Sequence, residues 1–361
     1  MTGFALYRLP HEQQCTLVAQ TADELLCLNS CAELNGAVGF VVAPFTVTPD
    51  SPLIVIRPDI VRLLDINDAE TWKPTVAAGL PFALRRTADV CEDERRVYAE
   101  DFARFHAELS ADRLRKVVLS RRSMVSRQAG TDVVNLFVEA CQRYPRLFVA
   151  LLYTPLSGMW LMATPEILLE READRWRTIA LAGTMQLEGV DLQGEGERSL
   201  WSAKNIEEQR LVASYIAERL SPMASSLRED GPRTVRAANL VHLRSDFTFT
   251  LQEGIRMGDV LGQLHPTPAV CGLPEDAAHR FILANEHSPR RYYSGFIGPV
   301  RLEKNEVHLY VSLRCMEISN DHYIMYAGGG LLRGSTEEQE WLETEAKMQT
   351  MRRMIGKNET N

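Results

Sequence analysis

The chain reads as an α+β protein built on large antiparallel sheets. Strand-like runs follow one another instead of alternating with helices, as a doubly wound parallel sheet would require. The links between them carry hairpin chemistry: Pro155-Leu-Ser-Gly158 joins the apolar runs Leu147–Thr154 and Met159–Ala163. No repeat, low-complexity tract or Ser/Pro-rich linker interrupts the 361 residues, so a single domain over 1–361 is expected.

Within residues 1–100, Phe4–Leu9, Thr16–Gln20 and Leu53–Arg57 are short strands in a Gly/Pro-punctuated, strand-rich region. Asp89–Asp112 is a charged helix, Val117–Val125 a β-branched strand and Asp132–Arg143 an amphipathic helix. After the hairpin, Ile167–Arg171 and Trp176–Ala182 continue an antiparallel meander. A helix from Leu200 to Leu220 precedes strands at Val235–Leu243 and Thr248–Leu251, and another helix spans Pro274–Glu286. Three closing strands, Ser294–Arg301, Glu306–Leu313 and Ile318–Tyr326, lead to a C-terminal helix opened by the capping-box pair Ser335 and Glu338.

Composition narrows the function classes. A net charge of −8 argues against a general nucleic-acid or acidic-membrane partner. No apolar run approaches the ~18 residues of a membrane span, and the N-terminus lacks a basic stretch followed by an apolar core. The seven cysteines (15, 27, 31, 91, 141, 271 and 315) are odd in number and without zinc spacing, although Cys27 and Cys31 would sit one helical turn apart. Reduced thiols in a cytoplasmic protein fit that pattern.

The chemistry concentrates in several segments. In Tyr326-Ala-Gly-Gly-Gly330 three glycines end a strand, and in the helix that follows Glu340, Glu343 and Lys347 share one face beside an apolar stripe of Trp341, Met348, Met351 and Ile355. Two acids and a lysine beside a glycine wall suit a hard cation and an anionic ligand; a solvated face with i,i+4 support is the alternative. Lys116 opens a buried-looking strand, where it is either a solvated gatekeeper or, if desolvated, a general base. Glu166 lies among Pro165, Ile167 and Leu168, a setting that raises a carboxyl pKa, against the alternative of a strand-edge Glu facing water. Glu208 falls on the apolar stripe of its helix, so it needs a cationic partner or a metal. A structural salt bridge answers that need equally well. Gly183 and Thr184 end a strand in a way that admits a ligand to the backbone. Arg314 is a lone cation in an apolar strand and calls for an anion. His242 is either a core histidine or a ligand contact.

Taken in order, KVVLSRR, ATPEILLE, LAGT, the K-x-x-x-E-Q helix, LVHL, LHPTPAVCG, PRRYYSGFIG, SLRC and the YAGGG…E-x-x-E-x-x-x-K helix resemble the chorismate-utilising enzymes, whose branches include isochorismate, salicylate, anthranilate and aminodeoxychorismate synthases. The resemblance covers residues 110–356; residues 1–100 match only the family's variable strand-rich beginning. It implies two mostly antiparallel sheets packed face to face with helices outside. It also implies Mg²⁺ held by Glu208 and Glu343, with Glu340 supporting through water, and chorismate gripped by Gly183, Thr184, His242, Tyr293, Arg314, Gly328 and Lys347.

Two positions separate the family's branches. Lys116 and Ala269 match members that use water as nucleophile, where ammonia users typically have Gln and Thr. The chain therefore most resembles the isochorismate synthases, with Lys116 as base toward water, Glu166 as acid toward the departing hydroxyl, and no glutaminase subunit expected. Salicylate synthases share these residues. A non-catalytic chorismate-binding subunit would be expected to lack some of them. With no fused carrier domain in the chain, menaquinone biosynthesis is expected ahead of siderophore biosynthesis.

Overall fold

The computed structural model describes residues 1–21, 24–80, 84, 93–128, 132–186, 201–237, 240–302 and 305–355. Two nine-stranded sheets form its centre, and every strand pairing is antiparallel. The first sheet contains β1 (Gly3–Arg8), β2 (Gln14–Gln20), β6 (Ile60–Asp65), β7 (Lys116–Ser126), β8 (Phe148–Thr154), β9 (Gly158–Thr164), β14 (Gly272–Leu273), β17 (Cys315–Ile318) and β18 (His322–Leu331). The second contains β3 (Leu26–Leu28), β4 (Gly39–Ala43), β5 (Leu53–Ile56), β10 (Ile167–Glu172), β11 (Arg175–Gln186), β12 (Ala224–Ala237), β13 (Leu240–Leu251), β15 (Phe296–Val300) and β16 (Val307–Val311). Residues 1–65 thus complete one edge of each sheet.

The sheets face each other across an apolar layer that includes Phe40, Phe148, Trp160, Ile297 and Tyr310. On the outer face of the first sheet, α1 (Ala69–Ala78), α3 (Val133–Arg143) and α7 (Glu337–Ile355) cover a second layer. On the second sheet, α4 (Ala203–Leu220) and α5 (Met257–Leu264) do the same. α2 (Glu94–Ser110) and α6 (Glu275–Asn285) close over β7. With both faces covered, β8 is apolar along Phe148–Leu152 without alternation. Among the described residues, no helix is long and apolar enough to cross a membrane.

Several expectations need correction. The meander after the hairpin does not stay in one sheet: the chain leaves the first sheet after Thr164, passes Pro165-Glu166, and enters the second at Ile167. It returns through Ser312-Leu313-Arg314, so Arg314 lies between strands and the three expected closing strands are four. The two crossovers run side by side: Val311 N–H donates to the Glu166 carbonyl at 2.9 Å, and Ala163 N–H to the Arg314 carbonyl at 3.0 Å. Arg314 turns with φ 46°, a left-handed conformation that costs a non-glycine residue about 1–2 kcal/mol.

The capping box does not form. The Ser335 hydroxyl accepts from the Leu332 N–H at 3.1 Å, while Glu338 pairs with Arg95. β12 begins at Ala224, where a polar, exposed edge strand shows no apolar alternation to read. α1 was hidden by Pro74 in its interior, and α5 by two glycines in eight residues. Cys27 sits in β3 and Cys31 opens a 3₁₀ turn, so they share no helix. The expected helix starts at Asp89 and Leu200, and Cys91, lie outside the described residues. Within them α2 starts at Glu94 behind an Asp93 cap, and α4 starts at Ala203 behind a Ser202 cap.

β7 is pinned from behind by a buried ion pair on the segment after α6. Arg290 meets Glu286 at 2.6 Å, and donates to the carbonyls of Val118 at 2.7 Å and Val270 at 2.6 Å. Glu286 in turn accepts the Ser120 N–H at 2.7 Å. Arg290→Met leaves that carboxylate buried and unpaired. We expect it to destabilise the protein by about 3–5 kcal/mol, and Arg290→Met/Glu286→Leu to recover most of the loss in urea unfolding.

Candidate active site

The paired crossovers, the bulge of β11 and the glycine run of β18 meet around a cavity of about 610 Å³. Ten of the thirteen residues singled out in the sequence line it: Glu166, Gly183, Thr184, Glu208, His242, Ala269, Tyr293, Arg314, Gly328 and Lys347. Lys116, Glu340 and Glu343 stand behind that lining, reached through Glu208 and the glycines of β18.

Each wall has a local cause. β11 carries a bulge between Ala182 and Thr184, and Gly183 sits in it with φ 69°. α4 clamps that bulge: the Gln209 side chain accepts the Ala182 N–H at 3.0 Å, and Glu208 accepts the Gly183 N–H at 3.3 Å. This explains why Glu208 is buried on an apolar stripe while Glu207 is exposed. On β18, a Cβ at Gly330 would lie 2.1 Å from Glu208 Oε1 and 2.9 Å from Lys116 Cε. A Cβ at Gly328 would lie 2.8 Å from the Tyr293 hydroxyl, and one at Gly329 2.9 Å from Glu340 Oε2. The glycines are there because polar and charged side chains occupy the space a methyl group would need.

Three carboxylates line up along these glycines, each facing a lysine. Lys116, with no exposed surface, meets Glu208 at 3.1 Å, off the hydrogen-bond angle. Lys347 meets Glu343 at 2.7 Å and the Gly328 carbonyl at 2.7 Å. Lys204, which the sequence reading passed over, pairs with Glu340. Its signal was its place as the lysine of the K-x-x-x-E-Q motif, one helical turn before Glu208. Burial raises the Glu343 carboxyl, but the charges of Lys347 and Lys204 outweigh it and hold the group below the usual range. Burial and the charge of Glu343 push Glu340 up to about 7, and its Oε2 is buried without a hydrogen-bond partner. Among the described residues, no three His, Cys, Asp or Glu side chains gather as a ready metal cage. The wall of hard oxygen donors with one unsatisfied carboxylate oxygen nonetheless fits Mg²⁺, which takes one or two carboxylates and completes its shell with water and ligand oxygens.

Opposite this wall the cavity is neutral or cationic. Burial pushes the Glu166 carboxyl up to about 8, against the charges of Lys116, Lys347 and Arg314, so it is largely protonated at pH 7. Burial, helped by the charges of Arg314 and Lys347, holds His242 well below the usual range. The ring is therefore neutral: Nδ1–H donates to the Gly183 carbonyl at 3.1 Å, and Nε2 accepts from Arg314 at 3.0 Å. Arg314 is 7% exposed, and among the described residues it has no carboxylate within salt-bridge distance. A buried guanidinium held by a neutral histidine presents its charge to an anion in the cavity.

The profile of the family described as "Chorismate binding enzyme" matches residues 67–356. The chain belongs to that family. Isochorismate synthase MenF of Escherichia coli (strain K12) is 36% identical over 203 residues, which are 55% of this chain and 46% of that protein. The match thus spans less than half of that relative's length. Isochorismate synthase EntC of the same organism is 29% identical over 268 residues, 73% of this chain and 68% of that protein. The fold matches the crystal structure of the putative 2,3-dihydroxybenzoate-specific isochorismate synthase DhbC of Bacillus anthracis, with a TM-score of 0.81 and 22% identity over 99% of this chain and 97% of that one. For a chorismate-binding enzyme, a cationic pocket beside a carboxylate wall matches a dicarboxylate ligand.

The pH dependence of stability should expose Glu166. Its pKa in the folded protein is raised, so its contribution is complete below about 4.5, the unfolded value, and is lost as pH rises through about 8. Glu166→Gln has no such loss. Relative to wild type it should gain up to about 5 kcal/mol between pH 5 and pH 9, read as a difference in denaturant midpoints. A constant difference across that range refutes the buried, protonated state. Gly330→Ala should displace Glu208 and destabilise the protein by about 1–3 kcal/mol in urea unfolding, with the far-UV spectrum unchanged.

Proposed function

We propose that this chain is an isochorismate synthase, converting chorismate to isochorismate by adding water at ring carbon C2 and losing the hydroxyl at C4. The observation that carries the reading is a cavity lined by a carboxyl largely protonated at neutral pH, with the Lys116 ammonium group standing behind the same lining at Glu208. Lys116 takes a proton from water as the oxygen bonds to C2. The two ring double bonds each shift one position and the C4–O bond breaks. Glu166 gives its proton to the departing hydroxyl, which leaves as water, so atoms balance and the product is an isomer of the substrate. Solvent exchange returns the proton to Glu166 and removes one from Lys116.

Arg314, oriented by His242, holds a substrate carboxylate, and Tyr293, Thr184 and the Gly183 and Gly328 backbone shape the ring pocket. Glu208 and Glu343 would hold Mg²⁺, with Glu340 in support; when bound, the metal neutralises and orients the ring carboxylate. Ala269 leaves a small, apolar lining beside Val270. The cytoplasm is the compartment we assign, in keeping with the free thiols of the described cysteines.

Incubation with chorismate and Mg²⁺, followed by chromatographic separation of products, tests the reading. Isochorismate should accumulate, excess EDTA should stop the reaction, and ammonium salts should yield no anthranilate. Lys116→Ala and Glu166→Gln should each lower kcat by ~10²-fold or more with a much smaller change in KM. Salicylate as the main product would move the chain to the salicylate synthases, and aminated product would overturn the water assignment.

A further inference from the structure

Three lysines face the carboxylate wall, and they are held very differently. Lys116 is fully enclosed, and Lys347 is anchored by the Gly328 carbonyl as well as by Glu343. Lys204 is 26% exposed, whereas its partner Glu340 is 1% exposed, and among the described residues Glu340 is the only group it bonds. It rises from the first turn of α4, one turn before Glu208, and reaches across to α7. Its ammonium therefore has an open path to solvent, and a single contact holds it at the wall.

We infer that Lys204 is a resident counter-cation for the Glu208–Glu340–Glu343 wall, displaced when a divalent metal binds. This rests on the reading that the wall takes Mg²⁺. Three carboxylates in one low-dielectric wall repel one another unless a cation is present. Lys116 and Lys347 each neutralise one, and Lys204 neutralises the third. A dication entering the wall supplies that charge twice over and repels the ammonium, which swings outward along its exposed stem. Lys204 thus keeps the wall in place before metal arrives and opposes metal binding by the strength of one partly exposed ion pair.

Two measurements on Lys204→Met test this without reference to turnover. Mn²⁺ binding, read from the free-ion EPR signal, should tighten about fivefold relative to wild type, the equivalent of one such pair. The melting temperature in EDTA should fall, and the rise on adding Mn²⁺ should be larger than in wild type. Lys204→Arg, which keeps the charge, should resemble wild type in both. If the methionine variant does not fold, Lys204→Gln, uncharged but still a donor to Glu340, should show the same two changes. Unchanged or weaker Mn²⁺ binding in the neutral variants, with wild type binding normally, overturns the counter-cation role. Failure of wild type itself to bind Mn²⁺, with or without chorismate, removes instead the metal assignment on which it rests.

Discussion

A charge in a protein interior calls for a counter-charge or a ligand, and much of this chain's organisation follows from meeting that demand at one place. Glu208, Glu340 and Glu343 stand against Lys116, Lys204 and Lys347 along a strand that has no side chains of its own for three residues. The six come from three parts of the chain: Lys116 from β7, Lys204 and Glu208 from α4, the rest from α7. Removing Lys116 leaves Glu208 largely buried and without its counter-charge, which can cost more than the pair itself is worth. The acid on the far side works by the opposite rule. Glu166 has no such partner, so it is kept neutral and carries a proton it can give.

The crossovers set the distance between these two electrostatic regimes. A strand that stayed in one sheet would bury Glu166 or expose it according to its pleat. By leaving one sheet and entering the other, the backbone at Glu166 and Arg314 turns their side chains toward the space where the sheets part. The left-handed turn at Arg314 is the local strain accepted for that placement. His242 then fixes the guanidinium, and the bulge at Gly183 supplies the carbonyl that orients His242.

Much of this was legible before any coordinates. Helix periodicity put Glu340, Glu343 and Lys347 on one face and Glu208 on a buried stripe, because a 3.6-residue period needs only local sequence. The apolar flanks of Glu166 indicated its raised pKa for the same reason. What was not legible depended on long-range geometry. Nothing in Thr164-Pro-Glu-Ile167 says that the next strand belongs to another sheet, and Arg314 looked like part of a strand because apolar residues flank it on both sides. Lys204 entered only as the first letter of the K-x-x-x-E-Q motif and was given no role; a lysine on the first turn of a helix is ordinary until its neighbour from α7 is known. The polar edge strand β12 and the proline- and glycine-bearing helices α1 and α5 were missed because local propensity and tertiary context disagree there.

The crossovers have a consequence for how the molecule comes into being. β7 pairs with β18 across some two hundred residues of chain, and the acid and the arginine anchor take their positions only where both sheets are present. A nascent or partly unfolded molecule with one sheet formed has neither in place, and its carboxylate wall is unfinished until the last helix docks. The site is therefore assembled only when both sheets and the last helix have come together, a late and long-range event in folding.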